Sequence, residues 1–517
     1  MRRLAKRYRF VRLFLLVVVI FSTAEVAVQG EEVFEEQVLK HSRPSANIET
    51  PGPFMSFDNW GNLYVAGGGI GIGWDDDYVT MKYDPNGIVL WVARYDGPVS
   101  ETDSVIALTL DGLGNIYVTG SSDGNGTDCD YATVKYGPDS NEPLWVARYN
   151  GTGNYGDHAV DIVVDSLGNA YITGLSEGAG TELDFVTIKY DVNGNEAWVA
   201  VYDGPSYDEG RAIALDSNGY IYVTGYSRGQ GTSDDYLTIK YGPDSNEPIW
   251  TARYDGPASG PDEACAMAID PNDNIYVTGF SRSHSNGYDY ATLKYAPDSN
   301  QPVWVARYNG PGNDFDIPED ITVDGHGNIY VTGSSEGIGT KDDWATVKYD
   351  PNGNELWVAR LNSEVNGYDR AASIATDISN NVYVTGDLST GAAATLKYDS
   401  DSNEPLWMAQ YQYQQLIPSF ARDVAIDDLN NIYICGYNAY TFPSGIGEQY
   451  AIKYVLCEYS GDMDCDGDVD LEDLAVLGNH WLEGICGKCG GAEVSGDGDV
   501  DIDDLAELSA NWLAGVR

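Results

Sequence analysis

The sequence predicts an all-β chain: an eight-bladed β-propeller of four-stranded blades, followed by a small α-helical module built on paired calcium loops. Three observations lead there. The motif Asn-Ile-Tyr-Val-Thr-Gly, or a close variant, ends at Gly67, Gly120, Gly174, Gly225, Gly279, Gly333, Gly386 and Gly436, in steps of 50 to 54 residues. Each period holds four short runs rich in β-branched and aromatic residues, with turn residues between them. Near the C-terminus an Asp-rich loop with glycine at its sixth position occurs twice.

The second period shows the four strands in order, at 106–110, 116–119, 131–136 and 144–149. Between them, Asp111-Gly-Leu-Gly-Asn115 and Gly137-Pro-Asp-Ser-Asn141 supply residues that tolerate positive φ. A Lys-Tyr pair closes the third strand of every unit, from Tyr83 to Tyr454. A Trp opens the fourth strand seven times, at Trp91, Trp145, Trp198, Trp250, Trp304, Trp357 and Trp407. No segment of the repeats sustains a 3.6-residue apolar period, and four antiparallel strands per period of about 50 residues make a propeller blade. The first strand of each unit carries a mostly small residue two places before its closing Asp, such as Thr109, Ala214 and Ala268, as strands crowding a common axis require.

The eighth unit ends without its Trp strand. Counting back from Asp58 by the 20 residues that separate Trp91 from Asp111 lands on Val38. Segment 36–42 is therefore predicted to be the missing strand, laid beside the strand around Ile452, which removes an exposed sheet edge. This reading gives eight blades, with seven as the alternative. On the Gly-Asn-Ile-Tyr-Val-Thr-Gly and Asp-Tyr-Ala-Thr-Val-Lys-Tyr signatures, residues 36–456 resemble the bacterial secreted SBBP-type propeller repeats. That resemblance implies a fold and not an activity, because propellers host many unrelated functions.

The N-terminus reads as a secretory signal. Arg2, Arg3, Lys6, Arg7, Arg9 and Arg12 precede an apolar run at 13–21 and small residues at Ser22, Ala24 and Ala27. The run is too short for a membrane span, and cleavage is expected between Ala24 and Gly30. The expected organisation is a signal peptide at 1–30, a monomeric propeller at 31–456 and a calcium module at 457–517. The location is extracellular or at the cell surface, with no membrane span after cleavage. A net charge of −51 argues against nucleic-acid binding, and five histidines argue against a His-based metal centre.

The first calcium loop has Asp462, Asp464, Asp466, Asp468, Asp470 and Asp473 at positions 1, 3, 5, 7, 9 and 12, with Gly467 at the turn. That spacing converges oxygens on a hard cation, position 7 through its backbone carbonyl. The second loop offers Glu493, Ser495, Asp497, Asp499, Asp501 and Asp504 around Gly498, a weaker set. Helical stripes follow each loop, ending at Trp481-Leu482 and Trp512-Leu513. On these duplicated loops, residues 461–514 resemble a type I dockerin, which implies two Ca2+ ions and a cohesin-like or other extracellular protein partner. The pairs Leu471-Glu472 and Ile502-Asp503 depart from the small hydroxyl residues such modules often use for recognition. Cys457, Cys465, Cys486 and Cys489 are read as disulfide partners, with the pairing open.

Four Gly-x-Ser-x-Gly stretches, at 120–124, 174–178, 225–229 and 333–337, match a nucleophile pattern. They share one place in the repeat, which marks a structural turn. Acids such as Asp77, Asp130, Asp235 and Asp343 before the third strand, and Asp103, Asp208 and Asp262 before the first, fall on one face. They read as turn caps, with carboxylate catalysis or calcium binding as alternatives. The functional expectation is a secreted, non-catalytic binding or scaffold protein, tethered through its calcium module within a polysaccharide-degrading or cell-surface assembly. A glycan-binding or glycan-active propeller, with polysaccharide as ligand, is one alternative; a surface structural or adhesion protein is the other.

Overall fold

Alternating β-branched and aromatic runs separated by Asp and Gly turns fold here as they must, into strands that pair with their sequence neighbours. The computed structural model describes residues 25–30, 33–43, 53–70, 76–99, 101–180, 182–229, 233–284, 287–363, 365–413, 417–427, 430–441 and 446–456. In the second blade, Asp103–Leu110, Ile116–Asp123, Cys129–Tyr136 and Pro143–Tyr149 pair antiparallel in that order. Eight such sheets form, so the ring has eight blades and not seven. The inner strands are Phe54–Phe57, Asp103–Leu110, Asp157–Val164, Asp208–Leu215, Asp262–Ile269, Asp316–Val323, Arg370–Thr376 and Ser419–Ile426. Each packs against the inner strands of its two neighbours, and Ser419–Ile426 packs against Phe54–Phe57.

Closure follows the expected route. Val33–Arg43 pairs antiparallel with Ile446–Leu456, placing Val38 opposite Ile452, and completes the eighth blade. In the other blades the Trp stands opposite the Lys of Lys-Tyr, as Trp145 does to Lys135. In the eighth blade Gln37 stands opposite Lys453, so the Trp position is Gln37, one residue before the counted position. Glu25–Gly30 adds a further strand against Pro405–Gln412, making the seventh sheet five-stranded. These residues fall within the segment 1–30 that the sequence predicts as a signal peptide.

The turn between the first and second strands explains the Asp-x-x-Gly-Asn-x-Tyr signature. Asp58 Oδ1 accepts the backbone N–H of Trp60 and Asn62 at 3.0 and 2.9 Å, and its Oδ2 accepts Asn62 Nδ2 and Tyr64 Oη at 2.8 and 2.9 Å. Asp111, Asp165, Asp324 and Asp377 repeat the arrangement. Burial works against the Asp58 charge, but these bonds outweigh it and hold the carboxyl below its usual range.

The conserved-length period also places a staple between blades. Lys82 Nζ and Trp91 Nε1 both donate to the Pro138 carbonyl of the next blade, at 2.9 and 3.1 Å. Lys189 with Trp198 on Pro243, Lys240 with Trp250 on Pro297, Lys294 with Trp304 on Pro351, and Lys348 with Trp357 on Ser400 do the same. The Trp ring packs between the tyrosines of both blades, with centroids 6.0 Å from Tyr64 and 6.1 Å from Tyr136 for Trp91. The Trp ring thus packs between blades and its indole N–H ties the sheets together, while the rest of the strand that carries it is largely exposed.

The glycine of Tyr-Val-Thr-Gly faces a bulge in the inner strand. At Gly225 a Cβ would lie 1.9 Å from the Glu209 carbonyl oxygen, beside the register shift between Gly210 and Ala212. Backbone cannot yield cheaply, so Gly225→Ala should lower unfolding free energy by about 1–3 kcal/mol, read from denaturant titration. Deleting residues 33–43 should lower the melting temperature by several degrees in a thermal scan, because it opens the eighth blade and unpairs a full ladder. An unchanged curve would show that the ring does not depend on this closure.

Candidate functional site

The sequence-predicted calcium ligands, Asp462 to Asp473 and Glu493 to Asp504, lie outside the described residues, together with the helices after them and the four C-terminal cysteines. The three described cysteines, Cys129, Cys265 and Cys435, are free thiols. Among the described residues no helix is long and apolar enough to cross a membrane.

The serines of the Gly-x-Ser-x-Gly stretches, Ser122, Ser176, Ser227 and Ser335, are all buried. Ser122 Oγ accepts Arg148 Nη1 at 2.5 Å, and the same arginine donates to Asp130 Oδ2 at 2.9 Å and to Tyr95 Oη of the preceding blade at 3.0 Å. Arg253 ties Ser227, Asp235 and Tyr202, and Arg360 ties Ser335, Asp343 and Tyr308, in the same way. A serine held in such a clamp is buried, and its hydroxyl is shared between the arginine and the aspartate that opens the inner strand, Asp103 for Ser122, Asp208 for Ser227 and Asp316 for Ser335. The acids opening the inner strands are similarly employed. Asp103, Asp157, Asp208, Asp262 and Asp316 each accept the N–H of a glycine from the connection that precedes them. Burial raises all five carboxyls, Asp208 and Asp316 to about 6.

Departure from the eightfold pattern concentrates around the axis. At the bulge of the inner strands the residues are Ile106, Val160, Arg211, Cys265, Glu319, Ala372 and Arg422 in blade order from the second. Arg211 Nε pairs with Glu209 Oε1 at 3.0 Å, and Tyr226 Oη donates to Glu209 Oε2 at 2.5 Å. Arg370 pairs with Glu319 at 2.6 Å, while Arg422 reaches Asp387 at 3.0 Å and Tyr437 Oη at 2.9 Å. Burial, followed by the charge of Asp234, pushes Glu263 up to about 7, with Arg211 opposing. Burial also raises the Cys265 thiol, which donates to the Pro318 carbonyl at 3.3 Å and is therefore protonated and unreactive.

One residue beyond the bulge, Asp161, Asp320 and Asp423 latch inner strands together. Asp161 Oδ2 accepts Ile213 N–H at 2.9 Å and Asp320 Oδ2 accepts Ile374 N–H at 2.9 Å, each from the next blade. Asp423 reaches Met55 N–H across the closure and Ser373 Oγ, both at 3.3 Å. Burial pushes Asp161 up to about 6 and Asp423 up to about 7, and the charge of Asp320 raises both further. Asp161 and Asp320 sit three blades apart, so they sense each other only across the axis. The asymmetry is made by substitution at nearly fixed repeat length. Aligning the units at the bulge would have exposed it.

This geometry defines a β-propeller with a polar, asymmetric axial mouth. The SBBP beta-propeller repeat model matches residues 97–126, 198–231 and 303–339, so the chain carries repeats of that kind. An uncharacterized WD repeat-containing protein, L264 of Acanthamoeba polyphaga mimivirus, is 28% identical over 344 residues, covering 63% of this chain and 22% of that protein. The chain thus spans about a fifth of the length of this curated relative. Among solved structures, the quinohemoprotein alcohol dehydrogenase ADHIIG from Pseudomonas putida HK5 aligns with a TM-score of 0.50 at 12% identity, over 80% of this chain and 75% of its own. The corresponding enzyme from Comamonas testosteroni aligns with a TM-score of 0.46 at 11% identity, over 82% and 76%. At such identities the likeness concerns the fold alone.

The axial carboxyls give the ring a pH dependence of defined sign. A carboxyl whose folded-state value is raised takes up its proton in the folded chain first. Its contribution is complete below the unfolded value of about 4. It is lost as pH rises through about 7 for Asp423. Lowering pH from about 8 to about 5.5 should therefore raise the melting temperature, and Asp423→Asn should remove part of that rise in calorimetric scans.

Proposed function

We propose that the chain is a secreted, non-catalytic binding protein whose propeller is displayed through a calcium-dependent, dockerin-like C-terminal module. The observation that carries this reading is the employment of the recurring serines, acids and arginines in clamps and caps, which leaves them to architecture. The residues that differ from blade to blade converge on the axial mouth, where a rigid ring suits recognition better than turnover. The duplicated loops supply the tether: two calcium ions, the tighter at Asp462, Asp464, Asp466 and Asp473, order helices for a cohesin-like or other extracellular partner. The basic and apolar N-terminal segment supports export, and the surface of a degradative or adhesive assembly is the setting this organisation fits.

A second reading, a glycan-active propeller, draws on one group. Glu263 holds its proton to about 7, as a general acid for glycosidic cleavage would.

The test is a pull-down from extracellular proteins of the source organism with the full-length chain. Capture should require calcium and should be lost on chelation and in the Asp462→Ala plus Asp473→Ala variant, while the propeller stays folded by circular dichroism. Capture that ignores calcium would overturn the docking reading. Sugar release from polysaccharides at catalytic rates, abolished by Glu263→Gln, would replace it with the second.

A further inference from the structure

Glu25–Gly30 lies inside the segment whose residues read as a signal peptide, yet it is part of the folded ring. It pairs with Pro405–Gln412 over six residues, from Glu25 opposite Gln412 to Gly30 opposite Trp407. It is the fifth strand of the seventh sheet, on the outer edge; the other sheets have four.

The strand it covers differs from its counterparts. The other Trp-bearing fourth strands each carry an arginine or a glutamate, such as Arg148 or Glu196, while Pro405–Gln412 carries no charge. Gln410 stands opposite Ala394, where Arg148 stands opposite Ala132. A charge on an outer strand deters pairing with another chain, and an uncharged edge invites it. Burial follows the covering. Leu144 and Val146 of the second blade are 58% and 42% exposed, whereas the matching Leu406 and Met408 are half-buried. Trp407, Ala409 and Tyr411 are fully buried. The seventh blade has thus given up the charge that protects an edge and has a strand over that edge instead, so the working chain needs residues 25–30.

We propose that a signal peptidase cuts the exported chain between Ala24 and Glu25. Water adds across that peptide bond, leaving a carboxyl group on Ala24 and a free amino group on Glu25, and the mature chain begins with the covering strand. Such enzymes take small residues at the first and third places before the cut, shortly after the apolar run. Ala24 and Ser22 fill those places, behind the run at 13–21. A cut after Ala27 would put the charged Glu25 at the third place and strip half of the ladder. A cut after Gly30 would strip all of it and leave the uncharged edge bare. The inference rests on the export half of the proposed function and adds to it the processing site.

The test expresses the full chain with its own N-terminus in a secreting host and reads the exported protein by N-terminal sequencing and intact mass. Glu25 is the expected first residue, and Ala24→Lys should leave the chain uncut. An exported chain beginning at Val28, at Glu31 or elsewhere past Glu25 would overturn the cut site while leaving the export reading standing; a chain retained uncut in the cell would overturn both. Neither result touches the calcium loops. A second comparison sets the chain beginning at Glu25 against one beginning at Glu31. The shorter chain should melt about 2–5 °C lower, through loss of the ladder, and should self-associate in sedimentation through its bare edge. Equal melting with no association would remove the reason for keeping the strand and would overturn the proposal.

Discussion

The ladder between Val33–Arg43 and Ile446–Leu456 is the contact on which the ring depends. In seven blades the four repeat strands come from one continuous stretch of chain, so local turns suffice to form them. The eighth needs strands from both ends of the repeat region, and only their pairing brings Ser419–Ile426 against Phe54–Phe57. Once the ring is closed, each inner strand has two neighbours. The Asp161, Asp320 and Asp423 latches then find the backbone N–H groups of the next blade, and the axial mouth acquires its shape.

Charge is the second constraint. A chain with 80 acidic and 29 basic residues cannot pair its carboxylates one to one. It hides many of them in turns instead, where backbone N–H groups, Asn amides and Tyr hydroxyls solvate the charge, as at Asp58 and Asp111. The scarce arginines sit where two blades meet and serve a serine, an aspartate and a neighbouring tyrosine at once. This economy makes the departures informative: Val201 replaces the arginine of the third blade, and Gly69 removes the serine anchor of the first.

The period, the four strands per period, the Asp-Gly-Asn turns and the need for a borrowed eighth strand were all legible in the residues alone. Each depends on interactions between positions a few residues apart, or on counting equal steps along the chain. The glycine of Tyr-Val-Thr-Gly was legible as a marker, but its cause, the backbone of Glu209 pressed against Gly225, needed the bulge in the facing strand.

Tertiary structure decided the rest, because its partners lie one blade or more away. Trp91 could be read as core, but its bond to Pro138 spans 47 residues and exists only when blades stand side by side. Val38 was placed within one residue, yet Gln37 takes the Trp position, because the chain from there to Asp58 is one residue longer than the 20 that separate Trp91 from Asp111. Arg211, Cys265, Glu319 and Arg422 looked like ordinary variation in a β-strand, since each follows its own unit's spacing. They become one site only because eight inner strands converge on an axis, a fact of closure that no single repeat contains.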